Sequence, residues 1–431
     1  MKFETKDDRI WAAIRRYSHV NWALADQVVV SSANFLTGVL IARSLGIAEF
    51  GRFSLAWMLV QFVQSIQYAV VCSPLMSIAP KIATEERDAY YTGIIFHQIV
   101  FALISVFATV IAIYLGDWAF SDWHLTPIVW PLSAVVLTSQ SQDFIRRYFF
   151  SLRRPGVSFI SDVVRYGTQL ALLLWLFRYH ASGASLPFAL TVISAAAGLG
   201  GLIGALGVRL GPLSRIKFVA LTSRHWHYSR WLLGSALFSW TSGNLLIIAS
   251  GVVLGTTAVG VLRAGQSIIG VTHIFFQGLE NVLPVQASIA FANGGFEQLI
   301  AFTRKSVGLI MLATVSIAAI AWFFPNAIMT AFYGKEFSQI GWVLQVYALI
   351  YVILAFGLAL SIALRAVEKT SFILYSYALG TLFSIVGGIP LIMLYGVKGA
   401  LIGLVITTFI NAAVPFFGLI SLAKAHRPKA V

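Results

Sequence analysis

The chain has 431 residues, 58% hydrophobic and only 11% charged, where soluble domains carry about 25% charge; its mean hydropathy is +0.84. That composition excludes a soluble globular domain and indicates an all-α polytopic membrane protein. The net charge of +14 does not point to nucleic acid, because the basic residues recur in short connections between apolar runs, the pattern that sets membrane orientation.

Residues 1–19 are polar and basic, and Ile10, Trp11 and Ile14 fit an interfacial amphipathic segment on the cytoplasmic side. No signal peptide is expected, since the first apolar run starts after about twenty residues and lacks an A-x-A-like site. Twelve spans follow, near 20–42, 53–79, 92–115, 127–150, 157–178, 186–208, 231–253, 259–286, 304–325, 340–364, 371–395 and 399–422. The first six form an N-terminal six-helix bundle (20–208) and the last six a C-terminal one (231–422), joined by a basic linker at 209–230 and closed by a tail at 423–431. Of the thirty Lys and Arg residues, Arg43, Arg52, Arg178, Lys335 and Lys398 lie in connections after odd-numbered spans, and Arg165 and Arg263 lie inside spans. All the others fall on the opposite side, which places both termini in the cytoplasm.

The two bundles look like copies of one unit. Gly46 and Gly51 of ARSLGIAEFG align with Gly255 and Gly260 of SGVVLGTTAVG at an offset of 209. SPLMSIA (73–79) parallels LPVQASIA (283–290), and SLRRPGVSFI (151–160) parallels RAVEKTSFI (365–373). An even number of spans per copy makes the copies parallel, related by an axis along the membrane normal, with a substrate path expected between them.

The eighth span carries the most polar stripe. At about 100° per residue, Arg263, Gln266, His273, Gln277 and Glu280 fall, with Gly270 and Pro284, within roughly one 100° arc of a helix. A charge at mid-membrane costs at least about 2.5 kcal/mol, so the stripe must face other helices or water. It could serve helix-to-helix hydrogen bonding; two charges and a histidine exceed what packing needs, which favours the lining of a central passage. Through the same offset the second span offers Ser54, Trp57, Gln61, Gln64 and Tyr68 at the matching positions.

Other intramembrane polar groups have two readings each. Asp26, followed by Gln27, Ser31 and Asn34, could pair with Arg263, bind a proton or cation, or lie at the interface. Asp162 and Arg165 are one turn apart and could neutralise each other. Arg146, Arg147, Arg153 and Arg154 could hold an anionic headgroup or a pyrophosphate, or simply anchor the cytoplasmic ends of spans. His97 and Gln98 could form a hydrogen-bonded pair or sit at the interface. The single cysteine, Cys72, excludes an intramolecular disulfide, and the sequence holds no Walker A motif, Ser/His/Asp set, HExxH or metal-spaced His/Cys cluster. No cofactor or metal is expected.

The stretch from Asn34 to Leu55, NFLTGVLIARSLGIAEFGRFSL, with its span ending in Ala-Arg-x-Leu-Gly followed by Glu-Phe-Gly and an aromatic, resembles the polysaccharide-transport branch of the multidrug/oligosaccharidyl-lipid/polysaccharide (MOP) exporter superfamily. The resemblance extends to length, twelve spans and two six-helix halves. It implies an O-antigen or exopolysaccharide flippase of the bacterial inner membrane, moving an undecaprenyl-pyrophosphate-linked oligosaccharide by alternating access among membrane lipids, beside a glycan polymerase or export complex. On that reading Arg263 would attract pyrophosphate, Gln61, Gln64, Gln266 and Gln277 would bond sugar hydroxyls, and Trp57 and Tyr68 would stack. His273, Glu280 or Asp26 would carry coupling protons. The alternatives are a cation- or proton-coupled multidrug exporter of the same superfamily, and a membrane glycan-assembly enzyme or scaffold.

Overall fold

The computed structural model describes residues 18–120, 123–152, 154–180, 183–212 and 215–425. The amphipathic segment expected before residue 18 and the basic tail after 425 lie outside the described residues. Those described are helical almost throughout and include no strand.

In the first half the helices are α1 (Ser18–Gln67), α2 (Ser73–Ile78), α3 (Thr84–Ala119), α4 (Val129–Ser151), α5 (Pro155–Tyr179) and α6 (Leu186–Ala205). The second half has α7 (Arg215–Leu254), α8 (Thr256–Ile269), α9 (Thr272–Phe323), α10 (Pro325–Tyr333), α11 (Gly341–Ala366), α12 (Ser371–Phe383) and α13 (Ile389–Ala425). Several are too long for one crossing of a hydrocarbon core of about 30 Å, and glycines divide them. Gly46 (φ 82°, ψ 177°) interrupts α1, Gly294 and Gly295 interrupt α9, and Gly396 (φ 59°) interrupts α13. The chain doubles back at such points: a Cβ on Gly38 would lie 3.7 Å from the Phe50 ring, although twelve residues of straight helix would separate them by about 18 Å. Divided in this way, the described helices fall into six long segments in each half, the number of spans expected from the sequence.

Seven stretches meet both the length and the apolarity of a membrane span. α4 and α5, with 23 and 25 residues, are long enough but exchange hydropathy for Asp143, Arg146, Arg147, Asp162 and Arg165. Their charges are satisfied inside the bundle, as described below.

The chain folds as two compact units. Unit 1 holds the segment ending at Thr37 and Leu59–Ala236; unit 2 holds Gly38–Met58 and everything from Leu237 on. In unit 1, the small residues of α6 let its backbone approach closely: Ser161 donates to the Gly200 carbonyl at 2.8 Å, and a Cβ on Gly200 would meet Arg165 Cβ at 2.8 Å. The first turns of α7 also pack here. Tyr90 bonds His225 at 3.1 Å, His97 bonds Thr222 at 2.8 Å and Ser77 bonds Tyr228 at 2.8 Å. His97 therefore takes its partner from the linker, and Gln98 instead accepts from Gln67 at 2.9 Å.

Unit 2 shows the repeat directly. Gly255 (φ 85°, ψ 176°) repeats the conformation of Gly46, a region of φ/ψ space open essentially to glycine alone. The two turns also pack reciprocally: a Cβ on Gly51 would overlap the Thr256 carbonyl, and a Cβ on Gly260 would overlap the Ile47 carbonyl. Since Thr256 and Gly260 are Ile47 and Gly51 displaced by 209, this is an isologous contact about a local pseudo-two-fold axis. Glu336 supports it by accepting from the Ile47 amide at 3.3 Å, and Phe50 packs on Tyr333 with ring centroids 5.9 Å apart.

Candidate functional site

The predicted eighth-span stripe is not one helix. α8 ends at Ile269 and α9 starts at Thr272, with a turn at Gly270–Val271 in which His273 N–H bonds the Gly270 carbonyl at 2.9 Å. A glycine followed by a β-branched pair offers no strong hold on the helix there, and the stripe is divided. Arg263 and Gln266 belong to α8; His273, Gln277 and Glu280 belong to α9, with the side chains of Gln277 and Glu280 outside the described residues.

Arg263 organises a polar site within unit 2. Its Nη1 donates to Gln266 Oε1 at 2.6 Å and its Nη2 to Asn244 Oδ1 at 2.7 Å. Asn244, on α7, is oriented in turn by donating to the Trp240 carbonyl at 2.9 Å. Among the described residues no carboxylate lies within ion-pair distance of Arg263, and its buried Nε has no hydrogen-bond partner. The buried hydroxyl of Tyr347 on α11 is likewise without a partner. His273 meets Tyr351 edge to face at 5.3 Å and Phe276 at 5.9 Å. Trp57 stacks on Phe53 at 5.7 Å. A guanidinium held by neutral amides inside a membrane span keeps its full positive charge and spare donor capacity, so the site suits an anion.

The other candidates fall in unit 1. Gln61 is exposed, Gln64 and Asn34 are half-buried, and Tyr68 is exposed with the Arg147 guanidinium 4.7 Å from its ring centre. Asp26 is fully buried and is bound by Arg146, from Nε at 2.8 Å and Nη2 at 2.5 Å. Its partner is therefore Arg146 and not Arg263. Asp162 and Arg165 do not pair with each other either. Asp162 lies 3.1 Å from Arg146 Nε and accepts from Gln142, while Arg165 donates to Gln142 Oε1 at 2.6 Å and Ser139 Oγ at 3.0 Å. Arg147 is held by Asp143 at 2.9 Å. Arg146 and Arg147 are thus neutralised within the bundle instead of standing ready for a pyrophosphate.

Sequence reasoning passed over Tyr347 and Tyr351, a pair four apart on an apolar span, which had no charged neighbour to draw notice. It also passed over Arg146 as the partner of Asp26, 120 residues away in the chain.

This arrangement, two sets of six crossings with polar groups buried in each, is the fold of MOP-superfamily transporters. Structural comparison bears that out. An inward-facing multidrug resistance MATE family transporter of the MOP superfamily superposes with TM-score 0.75 at 14% identity, covering 93% of this chain and 95% of that one. A MOP superfamily transporter from Pyrococcus furiosus Vc1 (DSM3638), described by the reverse polarity of its binding pocket, gives TM-score 0.65 at 15% identity over 94% of each chain. An outward-facing multidrug resistance MATE family transporter gives 0.63 at 15% identity over 94% of each chain. More particularly, residues 232–389 match the MatE family model. No curated protein matches the sequence.

Proposed function

We propose that the protein is a secondary transporter that moves an anionic, lipid-linked oligosaccharide across the bacterial inner membrane by alternating access. The observation that carries this reading is Arg263, a cation inside a membrane span whose described partners are the neutral Gln266 and Asn244. A pyrophosphate is the natural complement of a fixed guanidinium with an unused N–H. The aromatic surfaces of Trp57 and His273, together with the amide of Gln266, suit the sugar that follows. The basic connections after even-numbered spans support cytoplasmic termini, and a lipid-linked glycan would be delivered by the membrane enzymes that assemble it.

A charge-assisted hydrogen bond contributes about 1.5–3 kcal/mol, so Arg263→Ala should weaken binding of a polyprenyl pyrophosphate oligosaccharide by about 10- to 100-fold. Arg263→Lys should restore part of that loss. Binding to the purified protein, measured against a lipophilic cation of similar size, tests the assignment. Equal affinity of the native and Ala proteins for the anionic lipid would remove Arg263 from the mechanism. A second reading, a cation-coupled multidrug exporter, is supported by the MatE match and by what the similar structures are said to carry. Tight binding of the cation together with indifference to the anionic lipid would favour it.

A further inference from the structure

Unit 2 carries a groove between α11 and α13. About 340 Å³ in volume, it runs between Trp342 and Val346 on α11 and Lys398, Ile402, Val405 and Ile406 on α13. Trp342 and Val346 are one turn apart at the start of α11, and the α13 residues recur at helical spacing just past the Gly396 break. The glycines of α13 pack elsewhere: a Cβ on Gly399 would overlap the Leu391 carbonyl, and one on Gly403 would lie 3.1 Å from the Leu246 side chain. Small residues there let the helix lean closely on α7 and on its own preceding segment. The stripe of Lys398, Ile402 and Val405, about 100° round the helix, is left on the surface, with Ile402 45% exposed.

The walls are apolar except at Lys398, which is exposed. Two other cations of the unit are engaged, Arg52 with Glu49 at 2.5 Å and Arg43 with the Ala331 carbonyl at 3.4 Å. Among the described residues no carboxylate lies within ion-pair distance of Lys398. An apolar groove with an ammonium and an indole where its helices begin their crossings is complementary to a molecule with an apolar tail and an anionic head. We propose that it holds an anionic phospholipid of the surrounding bilayer, with one acyl chain along Ile402, Val405 and Ile406 and the headgroup phosphate on Lys398. The lysine supplies the charge that attracts anionic lipid. Trp342 supplies a ring of the kind that sits at headgroup level, and its indole N–H can donate to a phosphate or ester oxygen. From Lys398 to Ile406 the helix rises about 12 Å, so the groove takes the part of the chain nearest the headgroup and the rest stays among bulk lipid. The site is separate from Arg263 and does not depend on what the protein transports.

The test uses the purified full chain in phosphatidylcholine nanodiscs containing a minor fraction of phosphatidylglycerol with a photoreactive diazirine in one acyl chain. Labelled residues are located by peptide mass spectrometry. The native protein should be labelled at Val346, Ile402, Val405 and Ile406 more strongly than at Leu312, which is exposed on α9. Unlabelled phosphatidylglycerol should suppress that labelling, and added phosphatidylcholine should not. Lys398→Gln should lower it by about 5-fold, the factor that one lysine near an anionic lipid surface supplies, and Lys398→Arg should retain it. Equal labelling of the groove by phosphatidylglycerol and phosphatidylcholine analogues would overturn the proposal, and that comparison needs only the native protein. So would a groove labelled no more than Leu312, or a Lys398→Gln protein labelled as strongly as the native one.

Discussion

The reciprocal packing of the two glycine turns makes a quantitative prediction. Gly51 and Gly260 both lie in helical segments, where replacement by alanine would ordinarily stabilise by about 0.8–1.0 kcal/mol. At these two positions a Cβ would overlap a backbone carbonyl, Thr256 for Gly51 and Ile47 for Gly260. Overpacking costs typically about 1–3 kcal/mol, and the cost here falls toward the upper end because backbone cannot swing aside as a flexible side chain does. Each single substitution should therefore lower stability by about 1–2 kcal/mol net of the helix gain.

Because both substitutions separate the same pair of turns, the second should cost less than the first. The double variant should fall short of the sum by about 0.5 kcal/mol or more, the coupling expected of residues in one contact. Gly167→Ala is the control: it lies in α5, and a Cβ there would meet nothing within 4 Å. Unfolding midpoints of the four variants in one detergent measure all of this. Stabilisation by Gly51→Ala matching that of Gly167→Ala would show that the turns do not pack as described, and additive losses would show two independent contacts.

The turns make further predictions. Gly255→Ala places a side chain in a conformation open essentially to glycine and should cost about 1–3 kcal/mol, read as a lowered unfolding midpoint; the same loss should follow Gly46→Ala, where Glu336 Oε2 would also crowd the Cβ at 3.2 Å. Glu336→Gln keeps an acceptor for the Ile47 amide and should cost well under 1 kcal/mol, whereas Glu336→Ala leaves that amide to solvent and should cost about 1 kcal/mol, as denaturant titration of the two variants would show.

Much of this architecture was legible in the sequence because membranes impose a simple rule. Long apolar runs must be helices, and the glycines between them must be turns, so the all-helical fold and the 209-residue repeat could be read from the sequence alone. The paired glycines at 46 and 255 even share their dihedral angles. Hydrogen-bond partners were less accessible. Helical periodicity ranks the faces of one helix, and so it put Arg263 and Gln266 together correctly. It also favours neighbours in sequence, which made Asp162–Arg165 and His97–Gln98 attractive pairs. In the folded protein Arg146, Thr222 and Gln67 arrive from other helices and offer better geometry. The break at Gly270 was hidden for a related reason: a polar periodicity that continues across a turn looks the same as one within a single helix.

The comparison of the two halves bears on what the buried charges are for. The match of Ser158-Phe159-Ile160 to Ser371-Phe372-Ile373 fixes an offset of 213 in this part of the repeat, and through it Arg146, Asp162 and Arg165 correspond to Ala359, Tyr375 and Ala378. Through the earlier offset of 209, Asp26 corresponds to Ser235. The second half thus builds the same crossings with none of the charges of this network, so the architecture itself does not need them. Breaking a buried ion pair costs about 3–5 kcal/mol, whereas replacing a whole buried network by uncharged groups is often neutral or stabilising. Arg146→Ala alone should therefore be severely destabilised. The quadruple variant Asp26→Ser/Arg146→Ala/Asp162→Tyr/Arg165→Ala removes two charges of each sign, leaves Asp143 with Arg147, and should recover most of the loss in thermal unfolding. A quadruple variant no more stable than Arg146→Ala would mean that the network holds α1, α4 and α5 together. If the chain transports as proposed, recovery of stability without recovery of transport would mean that the network is retained for the transport cycle.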